Sequence, residues 1–127
     1  LRAEKVARMA DFLPEQEVYG DESGELLVVG WGGTFGQIRT AVDAMRREGF
    51  QVSHCHFSQI NPLPRGIEAI FSRFQRIVVC ELNMGQFANY LRMSLPRFDY
   101  LQYNKVQGLP FTVLELTDRF RTLLGDK

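Results

Sequence analysis

The sequence has few cysteines, no net charge and no long apolar run, and each shortage excludes a class of protein. Its 127 residues contain two cysteines, too few for the disulfide framework of a small secreted domain. Fifteen Lys and Arg balance fifteen Asp and Glu, so no net charge favours nucleic acid or an anionic membrane. Apolar runs such as Leu26–Val29 are far shorter than the roughly 20 residues that span a bilayer. We therefore expect neither nucleic acid nor a membrane among the partners.

The composition that remains is typical of one compact domain. Hydrophobic residues make up 45% of the chain and charged residues 24%, proportions at which a packed core is expected. Cys55 and Cys80 both lie in apolar stretches, and the start of the chain has no secretory signal pattern. A reducing, cytoplasmic location is therefore expected. The chain begins at Leu1 inside an amphipathic pattern, which suggests a piece of a longer protein.

The first fourteen residues are predicted to form an amphipathic helix that arrives from a preceding domain. Apolar residues at positions 6, 9, 10 and 13 follow the helical period, and Pro14 helps to end it. Residues 15–127 then form the domain itself. In their acidic, glycine-broken beginning, only Val18 and Tyr19 suggest a short edge strand.

The rest of the chain alternates between apolar strands and amphipathic helices. Strand-like runs recur at about 25-residue intervals, which is enough for a crossover helix between parallel strands. These runs are Leu26–Val29, Gln51–Phe57, Ile77–Cys80 and Tyr100–Tyr103. Gly49 followed by Phe50 is predicted to end the first crossover helix. Thr112 and Glu115 form a predicted capping box at the start of the last helix. The pattern predicts an α/β fold, a three-layer α/β/α sandwich around an open, mainly parallel sheet.

A glycine-rich turn follows the first strand and is the first candidate site, because ligands gather at the carboxyl ends of parallel strands. It contains Gly30, Gly32, Gly33, Thr34 and Gly36. Its free backbone N–H groups can bind a phosphate or carboxylate, or its glycines can simply allow close packing with Thr34 as N-cap. The second strand does not end in the carboxylate of a dinucleotide site, and the Walker lysine is missing. The turn therefore does not match an NAD or ATP site.

A second candidate follows the third strand, where Glu81, Asn83, Gly85 and Gln86 lead into a helix. Glu81 is either an acid or base with a perturbed pKa, or a carboxyl group that accepts hydrogen bonds from N–H groups of the adjoining turn. Since both candidate segments follow central strands, we expect them side by side at the carboxyl edge of the sheet.

Two further groups offer weaker chemistry. His54 and His56 share a strand face, but no sequence partner completes a zinc site. Cys55 points to the opposite face, so a cysteine–histidine pair is discarded. No metal site and no catalytic residue is predicted.

Four motifs together resemble a known family. They read VVGWGGTFG at 28–36, NPLP at 61–64, VVCELNMGQ at 78–86 and GLPFT at 108–112. In this order and spacing they resemble the C-terminal domain of the alpha subunit of 2-oxoacid:ferredoxin oxidoreductases, most like the 2-oxoglutarate type. The resemblance runs from about residue 2 to residue 124. Gly33 stands where the family often shows Ser, and Phe87 where Leu is usual.

The resemblance implies a fold like the transketolase C-terminal domain, with a mixed five-strand sheet whose first, antiparallel strand would be Val18–Tyr19. It implies that the whole complex uses thiamine diphosphate, magnesium, an iron–sulfur cluster and coenzyme A. Thiamine diphosphate would lie between a preceding domain and the beta subunit, so this fragment would hold no cofactor. Two distant cysteines also cannot ligate an iron–sulfur cluster.

The function implied by the resemblance is that of a non-catalytic domain in an oxidoreductase. The whole complex would decarboxylate a 2-oxoacid oxidatively, form an acyl-CoA and reduce ferredoxin, while this fragment alone would be inactive. Its partners would be the remainder of the alpha subunit, the beta subunit and, through the complex, ferredoxin. Both candidate segments, with Arg92 on the following helix, would then serve as an interface. The alternative is a free-standing anion- or nucleotide-binding regulatory module.

Overall fold

The computed structural model describes residues 15–125, and the helix predicted over residues 1–14 lies outside them. Four strands alternate with four α-helices in the described chain. They are β1 (Gly24–Trp31), α1 (Phe35–Arg47), β2 (Val52–Phe57), α2 (Ile67–Phe71), β3 (Phe74–Glu81), α3 (Gln86–Ser94), β4 (Tyr100–Asn104) and α4 (Val113–Leu123). A short 3-10 turn, Gly32–Thr34, joins β1 to α1. Within residues 15–125, no helix is both long and apolar enough to cross a membrane.

The four strands form one parallel sheet in the order β2-β1-β3-β4. Tyr19 adds a single antiparallel bridge to His54 beyond the β2 edge, with backbone N–O distances of 2.8 and 2.9 Å. The chain then turns at Gly20, where φ is +105°, so the pairing stops after one residue. The five-strand mixed sheet is therefore not what the described residues form: Val18–Tyr19 is an edge bridge and not a strand.

Helices cover both faces of the sheet, which confirms the predicted three-layer sandwich. Because side chains alternate along a strand, Leu27 and Val29 pack on the face covered by α2 and α3, and Leu26 and Val28 on the face covered by α1 and α4. These four β1 residues are fully buried. The core between the sheet and helices α2 and α3 includes Phe57, Phe71 and Phe87. The core between the sheet and helices α1 and α4 includes Met45, Leu116 and Phe120.

Local sequence signals explain where two helices begin and end. At the end of α1, the N–H groups of Gly49 and Phe50 donate to the carbonyls of Arg46 and Met45, with Gly49 at φ +93°. At the start of α4, the Thr112 hydroxyl and the Glu115 carboxyl form the predicted capping box. Both features were predicted from the sequence and are confirmed.

The strand order places a topological switch point between β1 and β3. The chain leaves β1 for its neighbour β2 on one side, then crosses to β3 on the other side of β1. The connections after β1 and β3 therefore lead away from their shared carboxyl edge in opposite directions. In open parallel sheets this arrangement creates the crevice where ligands and partners bind.

Candidate functional site at the carboxyl edge of the sheet

The glycine-rich turn packs tightly at its first glycine. A Cβ atom on Gly30 would lie 2.6 Å from Ile38 Cδ1 and 3.0 Å from Thr34 Oγ1. Only glycine therefore lets α1 approach β1 this closely. This contact supports the close-packing interpretation at Gly30.

The remainder of the turn is open. Thr34 is buried at the N-cap position, but its hydroxyl donates to the Trp31 carbonyl at 3.1 Å and does not cap α1. Gly32, Gly33 and Gly36 are exposed, and a Cβ atom on any of them would meet nothing within 4 Å. The first turn of α1 carries no acidic residue. Within the part of the chain that the structure describes, no side chain therefore caps α1 or covers its amino end.

The segment after β3 is closed by Glu81. This residue is fully buried, and its Oε1 accepts hydrogen bonds from the Phe87 backbone N–H at 2.8 Å and from the Trp31 indole at 3.1 Å. Its Oε2 accepts from the Ala88 N–H at 3.0 Å. Both carboxyl oxygens thus satisfy donors that the start of α3 leaves unpaired. A carboxyl group engaged in this way supports the hydrogen-bonding interpretation and not an acid or base role.

Asn83 accepts the hydrogen bonds of the two backbone N–H groups that come just before those bound by Glu81. Its Oδ1 accepts from the backbone N–H groups of Gly85 at 2.8 Å and Gln86 at 3.0 Å. Gly85 lies at φ +95°, and a Cβ atom there would overlap the Gln102 side-chain amide of β4. The loop therefore requires glycine for both its backbone conformation and its contact with β4.

Gln86 and Arg92, the two remaining candidate residues, differ in what they contact. Arg92 Nη2 donates to the Tyr100 carbonyl at 3.0 Å and to Gln102 Oε1 at 2.7 Å, so its guanidinium joins α3 to β4 within the domain. The Gln86 side chain is exposed at the first position of α3. Gln86 is therefore the more available of the two for a partner.

The hydrogen bond from Trp31 to Glu81 brings the two candidate segments together. Parallel pairing of β1 with β3 places their carboxyl ends side by side, as predicted, and the indole links them directly. Sequence reasoning selected the glycines around Trp31 but gave Trp31 itself no role. The available signal was a tryptophan at the end of a buried strand, because a partly buried indole N–H requires an acceptor.

The two histidines lie elsewhere, on the outer strand β2. Arg39 Nε donates to His54 Nδ1 at 3.2 Å. Burial, together with the positive charge of Arg39, lowers the pKa of His54 to about 3, so its imidazole is neutral near pH 7. Burial also lowers the pKa of His56. Among residues 15–125, no group of three or more His, Cys, Asp or Glu side chains is placed to hold a metal ion.

Neither cysteine is suited to chemistry. Burial raises the pKa of each thiol to about 12, which suppresses the thiolate form that acts as nucleophile or metal ligand. Cys55 and Cys80 also lie in the two separate core clusters on opposite faces of the sheet. The two thiols therefore cannot ligate the same iron–sulfur cluster.

Comparison with known proteins agrees with this arrangement. The family model of the pyruvate:ferredoxin oxidoreductase core domain II matches residues 24–116. The 2-oxoglutarate oxidoreductase subunit KorA of Mycobacterium tuberculosis is 35% identical over 117 residues, which are 91% of this chain and 18% of that protein. The chain thus spans less than a fifth of this relative.

Solved structures give the same result. A 2-oxoglutarate:ferredoxin oxidoreductase from Magnetococcus marinus matches 97% of this chain, and 22% of its own, with a TM-score of 0.89 and 25% identity. A split-gene transketolase matches 87% of this chain and 42% of its own, at a TM-score of 0.64 and 12% identity, which shows the fold alone. The transketolase-like fold implied by the resemblance is confirmed.

The family match covers most of the chain and includes every segment that forms the carboxyl edge. All four sequence motifs, from residue 28 to residue 112, lie within the matched residues 24–116. The resemblance seen in the sequence is therefore confirmed, and the chain belongs to the pyruvate:ferredoxin oxidoreductase core domain II family.

Proposed function

We propose that this chain is a domain of the alpha subunit of a thiamine-dependent 2-oxoglutarate:ferredoxin oxidoreductase. The whole complex decarboxylates the 2-oxoacid oxidatively, forms the acyl-CoA and reduces ferredoxin. The observation that carries this proposal is the likeness to KorA, which extends over 91% of the chain at 35% identity. The TM-score of 0.89 to a domain of a 2-oxoglutarate:ferredoxin oxidoreductase supports a place in the same kind of complex.

Within that complex this domain contributes to subunit assembly and to structural support, and other domains perform the chemistry. The family implies thiamine diphosphate with magnesium, an iron–sulfur cluster and coenzyme A. We assign thiamine diphosphate and magnesium to other parts of the complex, because both carboxyl oxygens of Glu81 already accept hydrogen bonds within the domain. We assign the iron–sulfur cluster elsewhere because the two thiols are buried on opposite faces of the sheet. No step of the reaction is therefore assigned to this chain.

The carboxyl edge is the surface we assign to assembly with the remainder of the alpha subunit and with the beta subunit. Support comes from the open glycines Gly32, Gly33 and Gly36, which permit close backbone approach, and from the exposed amide of Gln86. Asn83 and Arg92 contribute by holding this edge in shape. Two free, buried cysteines support a cytoplasmic location.

A second candidate function is a free-standing module that binds an anion or nucleotide. The uncapped amino end of α1 favours it, since backbone N–H groups at such an end attract negative charge. The two functions differ in what the domain does alone. The module binds phosphate compounds without partners, and the assembly domain does not.

The test is activity of the co-expressed full-length alpha and beta subunits. We expect coenzyme A-dependent reduction of ferredoxin or a viologen with 2-oxoglutarate, and no turnover by the domain alone. Turnover by the isolated domain contradicts the proposal. A phosphate- or nucleotide-dependent rise in its melting temperature supports the regulatory module instead.

The role in assembly has its own test. The Gln86→Ala and Arg92→Ala double variant is compared with Arg47→Ala, an exposed residue at the end of α1. Arg92→Ala alone measures the internal contacts of α3 with β4. We expect the subunits of the double variant to assemble more weakly than those of Arg92→Ala or Arg47→Ala. Assembly and turnover equal to those of Arg47→Ala would make the loop a purely structural turn.

A further inference from the structure

A small apolar slot opens beside the junction of the two candidate segments. It has a volume of about 280 Å³ and is lined by Trp31, Ile60, Asn61, Gln86, Phe87 and Tyr90. The buried Phe87 ring forms one wall, 5.9 Å from the Trp31 ring and 6.5 Å from the Tyr90 ring between centroids. The side-chain amides of Asn61 and Gln86 are exposed. The slot is thus aromatic inside and bordered by two uncharged polar groups.

The slot is formed before any partner arrives. The Trp31 indole is held by Glu81, and the same carboxyl fixes the N–H of Phe87, so two of the aromatic walls share one buried anchor. Phe87 also packs edge-to-face against Phe57 of the core, at 5.1 Å. A preformed apolar slot binds without the entropy cost of ordering its walls.

The lining excludes the charged small molecules of the reaction. Among residues 15–125, no Lys, Arg, Asp or Glu lines the slot, so these residues offer a carboxylate or diphosphate no counter-ion there. Its volume of about 280 Å³ lies at the small end of the roughly 300–1,000 Å³ range of sites for small ligands. An uncharged side chain fits both properties. Leu82 and Met84, in the loop before Gln86, are 39% and 75% exposed and add exposed apolar side chains to the segment that leads into Gln86.

We propose that this slot receives one aliphatic or aromatic side chain from a loop of another domain of the same oxidoreductase. The amides of Asn61 and Gln86 donate to and accept from the backbone of that loop. A large apolar residue that becomes buried in an apolar pocket bordered by uncharged polar groups is the arrangement of an interface hot spot. The proposal rests on the proposed function. This chain covers 22% of the Magnetococcus marinus chain, so most of such a subunit lies outside it.

The first experiment fills the slot in the assembled full-length complex. Gln86→Trp places an indole over the slot from an exposed position, and Gln75→Trp places the same side chain at an exposed position near the start of β3. We expect Gln86→Trp to weaken subunit or domain association about tenfold or more, as loss of a hot spot does. Gln75→Trp should leave it unchanged, with equal unfolding midpoints for the two variants. Equal association would overturn the proposal.

The second experiment identifies the occupant. A photo-crosslinking amino acid replaces Met84 in the complex, and mass spectrometry locates the linked peptide. We expect a peptide from another domain that carries an uncharged apolar residue. An intact, active complex without a crosslink, or one linked only to a charged segment, overturns the proposal while leaving the proposed function standing.

Two other results have distinct meanings. A large change in KM for 2-oxoglutarate or coenzyme A in Gln86→Trp, with assembly unchanged, assigns the slot to a small ligand and overturns the proposal. A correctly assembled wild-type complex without 2-oxoacid-dependent activity contradicts the proposed function itself.

Discussion

The amino ends of α1 and α3 start from the same edge of the sheet but are finished in opposite ways. At α3, Glu81 and Asn83 accept hydrogen bonds from four backbone N–H groups. At α1 no side chain of residues 15–125 caps the helix, and none of these residues fills the space beside its exposed glycines. One end is completed by the domain itself, and the other leaves its N–H groups to solvent or to a partner.

The difference teaches that similar motif chemistry can have opposite roles at one edge. Both segments are glycine-containing turns after buried strands, and both read as anion-binding or interface candidates. Only burial separates them, because the carboxyl of Glu81 is inside the domain and no equivalent group follows β1. Trp31 is the contact between the two ends, through its indole hydrogen bond.

The largest expected effect comes from removing the closure of α3. Glu81→Ala leaves the Trp31 indole and two backbone N–H groups buried without an acceptor. We expect it to lower the free energy of unfolding by roughly 3–5 kcal/mol, since each buried unsatisfied donor costs about 1–3 kcal/mol. Urea unfolding of the domain, which we expect to be a single transition without metal or cofactor, measures the change. Glu25→Ala, on an exposed side chain of β1, is the control. A loss near that of the control would show that Glu81 does not close α3.

The second largest effect is expected from a change that strains the backbone at the same amino end of α3. Gly85→Ala forces a Cβ atom onto a residue at φ +95° and into the Gln102 amide, which also binds Arg92. We expect a loss of about 2 kcal/mol from the strained backbone and the displaced amide. Chemical denaturation again provides the measurement. An unchanged unfolding midpoint would mean that the loop tolerates a side chain and that its closure is looser than the contacts imply.

The pH dependence of stability tests the environment of His54 on β2. His54 lies 5.7 Å from the Phe35 ring and has a pKa of about 3 in the fold, against 6.5 when unfolded. The unfolded chain therefore binds a proton below pH 6.5 that the folded chain refuses, so stability falls as pH falls. One such proton changes stability by about 1.4 kcal/mol per pH unit between about pH 5 and 6.

His54→Gln should flatten the pH dependence of stability in that interval. The lowered pKa of His56 adds a slope of the same sign, so His56→Gln is the companion variant. Unfolding free energies of the three proteins across the interval give the comparison. Parallel curves for the wild type and His54→Gln would show that the imidazole is protonated alike in both states.

The smallest effect has the opposite sign and belongs to the open end. Gly36→Ala adds a methyl group in the first turn of α1, where nothing lies within 4 Å and φ is not positive. We expect the domain to gain roughly 0.5–1 kcal/mol, because alanine favours the helix and restricts the unfolded chain. Thermal unfolding of the domain measures this gain. In the full complex the same change should weaken assembly. A destabilised domain would mean that this end is packed after all.

Much of the fold follows from local pattern. The four parallel strands, the Gly49 helix end and the Thr112 capping box were predicted because each depends on residues close in sequence. The fifth strand is not confirmed, since the described residues form only one antiparallel bridge there before the chain turns at Gly20. At the candidate site, the adjacency of the two segments was predicted from topology. The contact that joins them, from Trp31 to Glu81 across fifty positions, was not.

The sequence by itself determined the family, the order of strands and helices, and the positions of both candidate segments. Periodicity and motif spacing are properties of neighbouring residues, and they survive without coordinates. Only the tertiary structure decided which helix end is closed and which is open. That distinction depends on burial and on hydrogen bonds between residues distant in sequence, and these exist only once β1 and β3 lie side by side.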